Sequence, residues 1–189
     1  MLFTLAYRGP LKSNGSPHDK HQIRAAMHWQ LKQLWNYPPL NGQIDLKQEL
    51  LESWNIKPTP VVSKEHKQFQ FAPVFRKEQS VLVELEILLL RAEPPGSVIV
   101  SRGDLDNRLK TLFDALRVPS NGSELPSEAA PAEGQTPFLC LLEDDAQIVK
   151  INVETDVLLE PVTSQMEVQL FVRVRTRLSK VTYGNLGLA

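Results

Sequence analysis

The sequence predicts an α/β fold, a mixed sheet with two or more helices packed on it, and three observations carry that prediction. Ser80 to Leu90 alternates over a long stretch, with Val81, Val83, Leu85, Ile87 and Leu89 on one face. Met166 to Leu178 alternates more cleanly, placing Met166, Val168, Leu170, Val172 and Val174 on one side and Arg173, Arg175 and Arg177 on the other. Between these strands the period changes. Leu105, Leu109, Leu112, Phe113 and Leu116 recur every three or four residues, an apolar stripe suited to a helix lying on a sheet.

A chain of 189 residues is long enough for one domain with a substantial core. Its 42% hydrophobic and 23% charged residues are those of an ordinary globular protein. No apolar run is long enough to span a bilayer, and the N-terminus lacks a basic segment followed by a hydrophobic one. A soluble cytoplasmic protein without membrane attachment is expected. The single cysteine, Cys140, excludes an internal disulfide framework and a cysteine-based zinc site. Set in an apolar run, it reads as a small buried hydrophobe.

Leu2 to Tyr7 is strand-like and runs into a turn-rich loop, Arg8 to Gly15, bearing Lys12 and Asn14. Asp19 to Trp35 reads as a helix with Ile23, Met27, Leu31, Leu34 and Trp35 inward. His21 and His28 then fall at solvated positions. Tyr37-Pro38-Pro39 ends the helix, and residues 36–62 read as an insertion with a second helix over Ile44 to Trp54. Phe69, Phe71 and Phe75 alternate on the next strand as core residues. This strand is expected to pair with Ser80–Leu90 as a hairpin through Arg76–Gln79. Residues 118–137 are rich in Pro, Ser, Glu, Ala and Gly, and predict a mobile acidic loop with no apolar surface to bury. Beyond it Ile148, Ile151 and Val153 resume the alternation, with Lys150 opposite.

Two acidic blocks stand out against this framework. Asp104 and Asp106 precede the helical stripe, one of them at the N-cap position, and Asn107 and Lys110 follow within a turn. If the backbone there is still extended, the two carboxylates share a face. Glu143-Asp144-Asp145 is the second block, three adjacent acids that repel one another unless a cation or a basic partner lies nearby. A pair of carboxylates joined by another from a distant segment is a fitting ligand set for Mg²⁺, which takes oxygen donors.

Asp104-x-Asp106-Asn107-x-x-Lys110-x-x-x-Asp114-Ala115-Leu116, followed by Asp144-Asp145-x-Gln147-Ile148, resembles the RusA family of Holliday junction resolvases. The resemblance covers these two blocks and, more weakly, the Pro- and Asn-containing loop after the first strand. It implies a homodimeric Mg²⁺-dependent endodeoxyribonuclease that nicks four-way DNA junctions in pairs during recombination and repair, with Mn²⁺ as an alternative metal. Asp104, Asp106 and Asp145 would hold the metal, with Asp144 as an alternative ligand. Lys110 would stabilise developing charge or position the scissile phosphate, unless it is only a helix-surface lysine paired with Asp106 or Asp114. Asn107 would brace a carboxylate or the turn, and Asp114 would orient Lys110. The basic cluster that several family members carry before the first aspartate is reduced here to Arg102.

A net charge of −1 does not exclude DNA, because phosphate contacts depend on where charge sits. Between Arg117 and Lys150 there is no Lys or Arg, so the acidity is concentrated there. Arg173, Arg175 and Arg177, about 6.6 Å apart on a strand, form a row that suits DNA phosphates or else blunts an edge strand. Together with Arg102, Lys12 and Asn14 they complete the expected DNA-contacting set. Two rival readings stand beside the resolvase: a metal-dependent nuclease on other branched DNA, and a DNA-binding module of the same fold without turnover.

Overall fold

The structure, a computed structural model, describes residues 1–40, 62–92, 105–182 and 185–189. The chain is mixed α/β, with seven strands and two α-helices among the described residues. Strands β1 (Leu2–Pro10), β4 (Val81–Arg91), β6 (Ile148–Val157) and β7 (Glu167–Leu178) form one sheet in the order β1-β7-β4-β6. Strand β4 runs antiparallel to β7 and parallel to β6, and β7 runs antiparallel to β1. Strands β2 (Lys64–His66), β3 (Phe69–Phe75) and β5 (Phe138–Leu142) make a second sheet in that order along its width, with β3 and β5 parallel.

The expected hairpin between the Phe strand and Ser80–Leu90 does not form. Nearly every side chain of β3 is buried, on both faces, so this strand needs cover on two sides. Its partners are β2 and β5. The turn at Arg76–Ser80, with Ser80 in the left-handed region at φ 55°, carries the chain from one sheet to the other instead.

Helix α1 (Pro17–Leu34) starts at Ser16, whose side chain accepts the Asp19 N–H while the Asp19 carboxylate accepts the Ser16 N–H. It buries Ile23, Met27 and Leu31 as expected, but His28 is also fully buried and His21 is only partly exposed. The rings of both histidines pack on Phe138, and His21 also meets Phe69 edge-on. They are core residues, not solvated ones. Helix α2 (Leu105–Leu116) buries Leu112, Ala115 and Leu116 in the main core, together with the inward residues of β4 and β7.

Residues 118–137 do bury apolar surface, contrary to the expectation from their composition. Val118 and Leu125 join Phe69, Phe71, Phe138 and Cys140 in a second apolar cluster. Lys32 and Lys67 donate to carbonyls at Gly134 and Pro126, and Arg117 pairs with Glu124. Two apolar anchors and three cations engage a segment whose composition suggests none. Strand β7 is central in its sheet, so its exposed arginines do not blunt an edge. Strand β6 is an edge, as is β1, and Ile151 is half-exposed although it shares the face of buried Leu85. The predicted Ile44–Trp54 helix, Arg102 and Asp104 lie outside the described residues.

Candidate functional site

The best-defined constellation grows from the loop after β1 and its docking on α2. The Gly15 N–H donates to Thr111 Oγ1 at 2.9 Å, and the Thr111 hydroxyl donates to the Asn107 carbonyl. A Cβ on Gly15 would fall 2.6 Å from Thr111 Cγ2, so this approach requires glycine. Asn14 precedes it at φ 51°, a left-handed conformation that asparagine tolerates. The docking creates a small polar cleft of about 150 Å³ lined by Asn14, Lys20, Asn107, Lys110 and Asp114. Three segments of the chain therefore converge there, and four of these five residues are ones the sequence singles out.

Asp106 stands in the first turn of α2, exposed, and its Oδ1 accepts the Asn107 N–H at 2.8 Å. This is a capping contact at the positive end of the helix dipole, where a carboxylate is favoured. Lys110, one turn on, is exposed and has no ion pair among the described residues. Asp114 does not orient it. The Asp114 carboxylate is held by Lys20 Nζ at 2.8 Å and by Arg117 Nη2 at 2.9 Å. Burial pushes this carboxyl up, but the hydrogen bonds and charges of Lys20 and Arg117 outweigh it and hold the group below the usual range.

The second acidic block has basic partners of its own. Asp144 pairs with Lys77 at 2.7 Å and accepts the Ala146 N–H, contacts that lower its carboxyl to about 2. Glu143 accepts the Lys77 N–H, and Asp145 lies 3.9 Å from Arg117 Nε. Arg117 follows the last turn of α2, about 16 Å along the axis from Asp106 at 1.5 Å per residue. Asp106 and Asp145 thus stand by opposite ends of the helix. Among the described residues no three His, Cys, Asp or Glu side chains are grouped to hold a metal ion. Of the expected metal ligands, Asp106 offers hard oxygen atoms at an exposed helix start, Asp144 is committed to Lys77, and Asp104 is outside the described residues.

The remaining expected contacts are dispersed. Lys12 is paired with Asp19 at 2.8 Å. Arg173, Arg175 and Arg177 line the open face of the four-stranded sheet, and Arg173 lies 3.6 Å from Glu86. Lys20 escaped the sequence reading because its partner Asp114 is far away in the chain. Arg117 carried a signal, its i,i+3 spacing from Asp114. Comparison with known proteins identifies no relative: no family model, no curated protein and no solved structure matches the chain. No described helix is long and apolar enough to cross a membrane.

Proposed function

We propose that this chain is a metal-dependent endodeoxyribonuclease of the RusA kind, acting on four-way junctions or related branched DNA. The observation that supports this reading best is the cleft at the start of α2, where Asn14, Asn107 and Lys110 meet beside the Asp106 carboxylate. A phosphodiester needs hydrogen-bond donors and one cation not already spent on a carboxylate. Asn14 and Asn107 supply the first and Lys110 the second, while Lys20 is neutralised by Asp114.

Asp106, with Asp104 beside it in sequence, would hold Mg²⁺ or Mn²⁺ on hard oxygen atoms. When bound, such an ion makes a hydroxide available at neutral pH and polarises a phosphoryl oxygen. Lys110 orients the phosphate and balances the charge that develops on it. Asn107 keeps the Asp106 carboxylate aimed outward through the N–H to Oδ1 contact. Paired nicking of a symmetric junction requires two such centres related by a two-fold axis, hence a homodimer.

The test is a labelled synthetic four-way junction incubated with Mg²⁺ or EDTA, using the wild-type chain and Asp106→Asn. The asparagine keeps an oxygen for the Asn107 N–H and removes only charge. Cleavage should fall by at least about a hundredfold, while junction affinity holds or rises because a repulsive carboxylate is gone. Loss of binding together with cleavage would count against the assignment. Binding without metal-dependent nicks in the wild-type chain would favour a non-catalytic DNA-binding module.

A further inference from the structure

The edge of the large sheet carries the inference. Strand β6 is ten residues long, pairs with β4 on one side, and has no strand on its other side among the described residues. A free edge of this length templates pairing with another strand, and soluble proteins usually blunt it. Here it is dressed with apolar side chains: Val149 is 47% and Ile151 46% exposed. Ile151 and Val153 stand opposite Leu85 and Ile87 of β4, so they share the face that elsewhere builds the core. On the other face Lys150, Asn152 and Glu154 alternate, opposite Glu84, Glu86 and Leu88. Glu154 has no ion pair among the described residues.

We propose that β6 pairs antiparallel with β6 of a second copy about a two-fold axis at Asn152, joining the two four-stranded sheets into one. The sequence around that axis is self-complementary. Lys150 falls opposite Glu154 of the partner subunit, and the reciprocal pair forms on the other side of the axis. On the opposite face Ile151 meets Val153 of the partner subunit, and the register shift of β6 at Val149 bounds the regular pairing at Lys150. A one-residue slip in either direction would lose the Lys–Glu match and place unlike side chains across the seam. Directly opposed charges and β-branched pairs are the contacts that stabilise strand pairing. Lysine on a lone edge acts as a gatekeeper; with a glutamate presented across the two-fold it becomes a recognition element. DNA is a poorer occupant of this edge, since Glu154 and Asp156 flank it.

The experiment is sedimentation equilibrium on the full chain without DNA, comparing wild type, Lys150→Glu, Glu154→Lys and the double variant. Both positions altered are exposed in the single chain, and far-UV circular dichroism checks that the fold is retained. The wild type should dimerise, and each single reversal should weaken the dimer about tenfold or more, because two like-charged pairs replace two opposite ones. The double variant restores both pairs and should return to within about threefold of wild type. A wild-type chain that stays monomeric at roughly 100 μM, below which specific dimers form, would overturn the proposal. So would a dimer indifferent to the single reversals, or one the double variant fails to rescue. The readout is mass, so a dimer that follows this pattern but leaves DNA uncut would retain the interface and sink only the nuclease reading.

Discussion

His28 shows how one side chain can set a pH dependence. Its Nδ1 accepts the buried Leu139 N–H at 2.9 Å, while Nε2 faces the Gly134 carbonyl at 3.3 Å. Only the neutral ring with its proton on Nε2 satisfies both partners. Protonation would place a second N–H against the Leu139 N–H. Burial depresses its proton affinity, and Lys32 lowers it further, against the opposing effect of Gly134. His21, packed between Phe69 and Phe138, is lowered to about 4, chiefly by burial and then by Arg24. Both folded values lie below the ordinary 6.5, so below that pH the unfolded chain binds more protons than the folded one. Stability should therefore be full near neutrality and fall as pH drops from 6.5 towards 4. Thermal melting at pH 7 and pH 5 checks this. His28→Phe should lose about 2–3 kcal/mol at pH 7, from an unpaired buried N–H, and show a shallower fall between the two pH values. An unchanged slope would remove His28 from the pH response.

At the scale of elements, the turn between β5 and β6 explains why the acidic block was only half legible. The adjacent acids and the glutamine are plain in the sequence, and like charges so close call for a cation or a basic partner nearby. Lys77 and Arg117 meet that need, but only because β3, α2 and β5 converge there. Gln147 is buried at that convergence. Its Oε1 accepts the N–H groups of Glu143 and Asp144, and its Nε2 donates to the carbonyls of Phe75 and Val81. One amide thus ties the ends of β3 and β5 to the start of β4, joining the two sheets. Gln147→Ala would take a hydrogen bond from four backbone groups, of which the Glu143 N–H and the Phe75 carbonyl still meet each other at 3.2 Å, and should cost about 2–3 kcal/mol. Asp145→Asn, exposed and loosely placed by Arg117, should cost under about 0.5 kcal/mol. Chemical denaturation of the two variants separates a glutamine that builds the fold from an aspartate that does not. Local composition misled most at residues 118–137, where two anchoring side chains, Val118 and Leu125, outweigh a disorder-prone average.

For the whole molecule, alternation and helical spacing were enough to recover the mixed α/β class, the faces of β4 and β7, and the buried stripes of both described helices. Which strands would pair was not legible, because period-two alternation names a face and not a neighbour. The division into two sheets, and β6 as an edge, follow from long-range register alone. The same limit applies to the carboxylates. Order along the chain brings Asp106 and Asp145 into one motif, whereas α2 stands between them. This separation makes a sharp prediction about metal binding within one chain. If Mg²⁺ is held at the start of α2, saturating metal should raise the melting temperature by several degrees, as about 2.7 kcal/mol of linkage at a hundredfold excess over Kd requires. That shift should vanish in Asp106→Asn and persist in Asp145→Asn. Loss of the shift in both variants would mean that the two ends of α2 are brought to one ion across subunits, and a shift surviving in both would move the metal away from this helix.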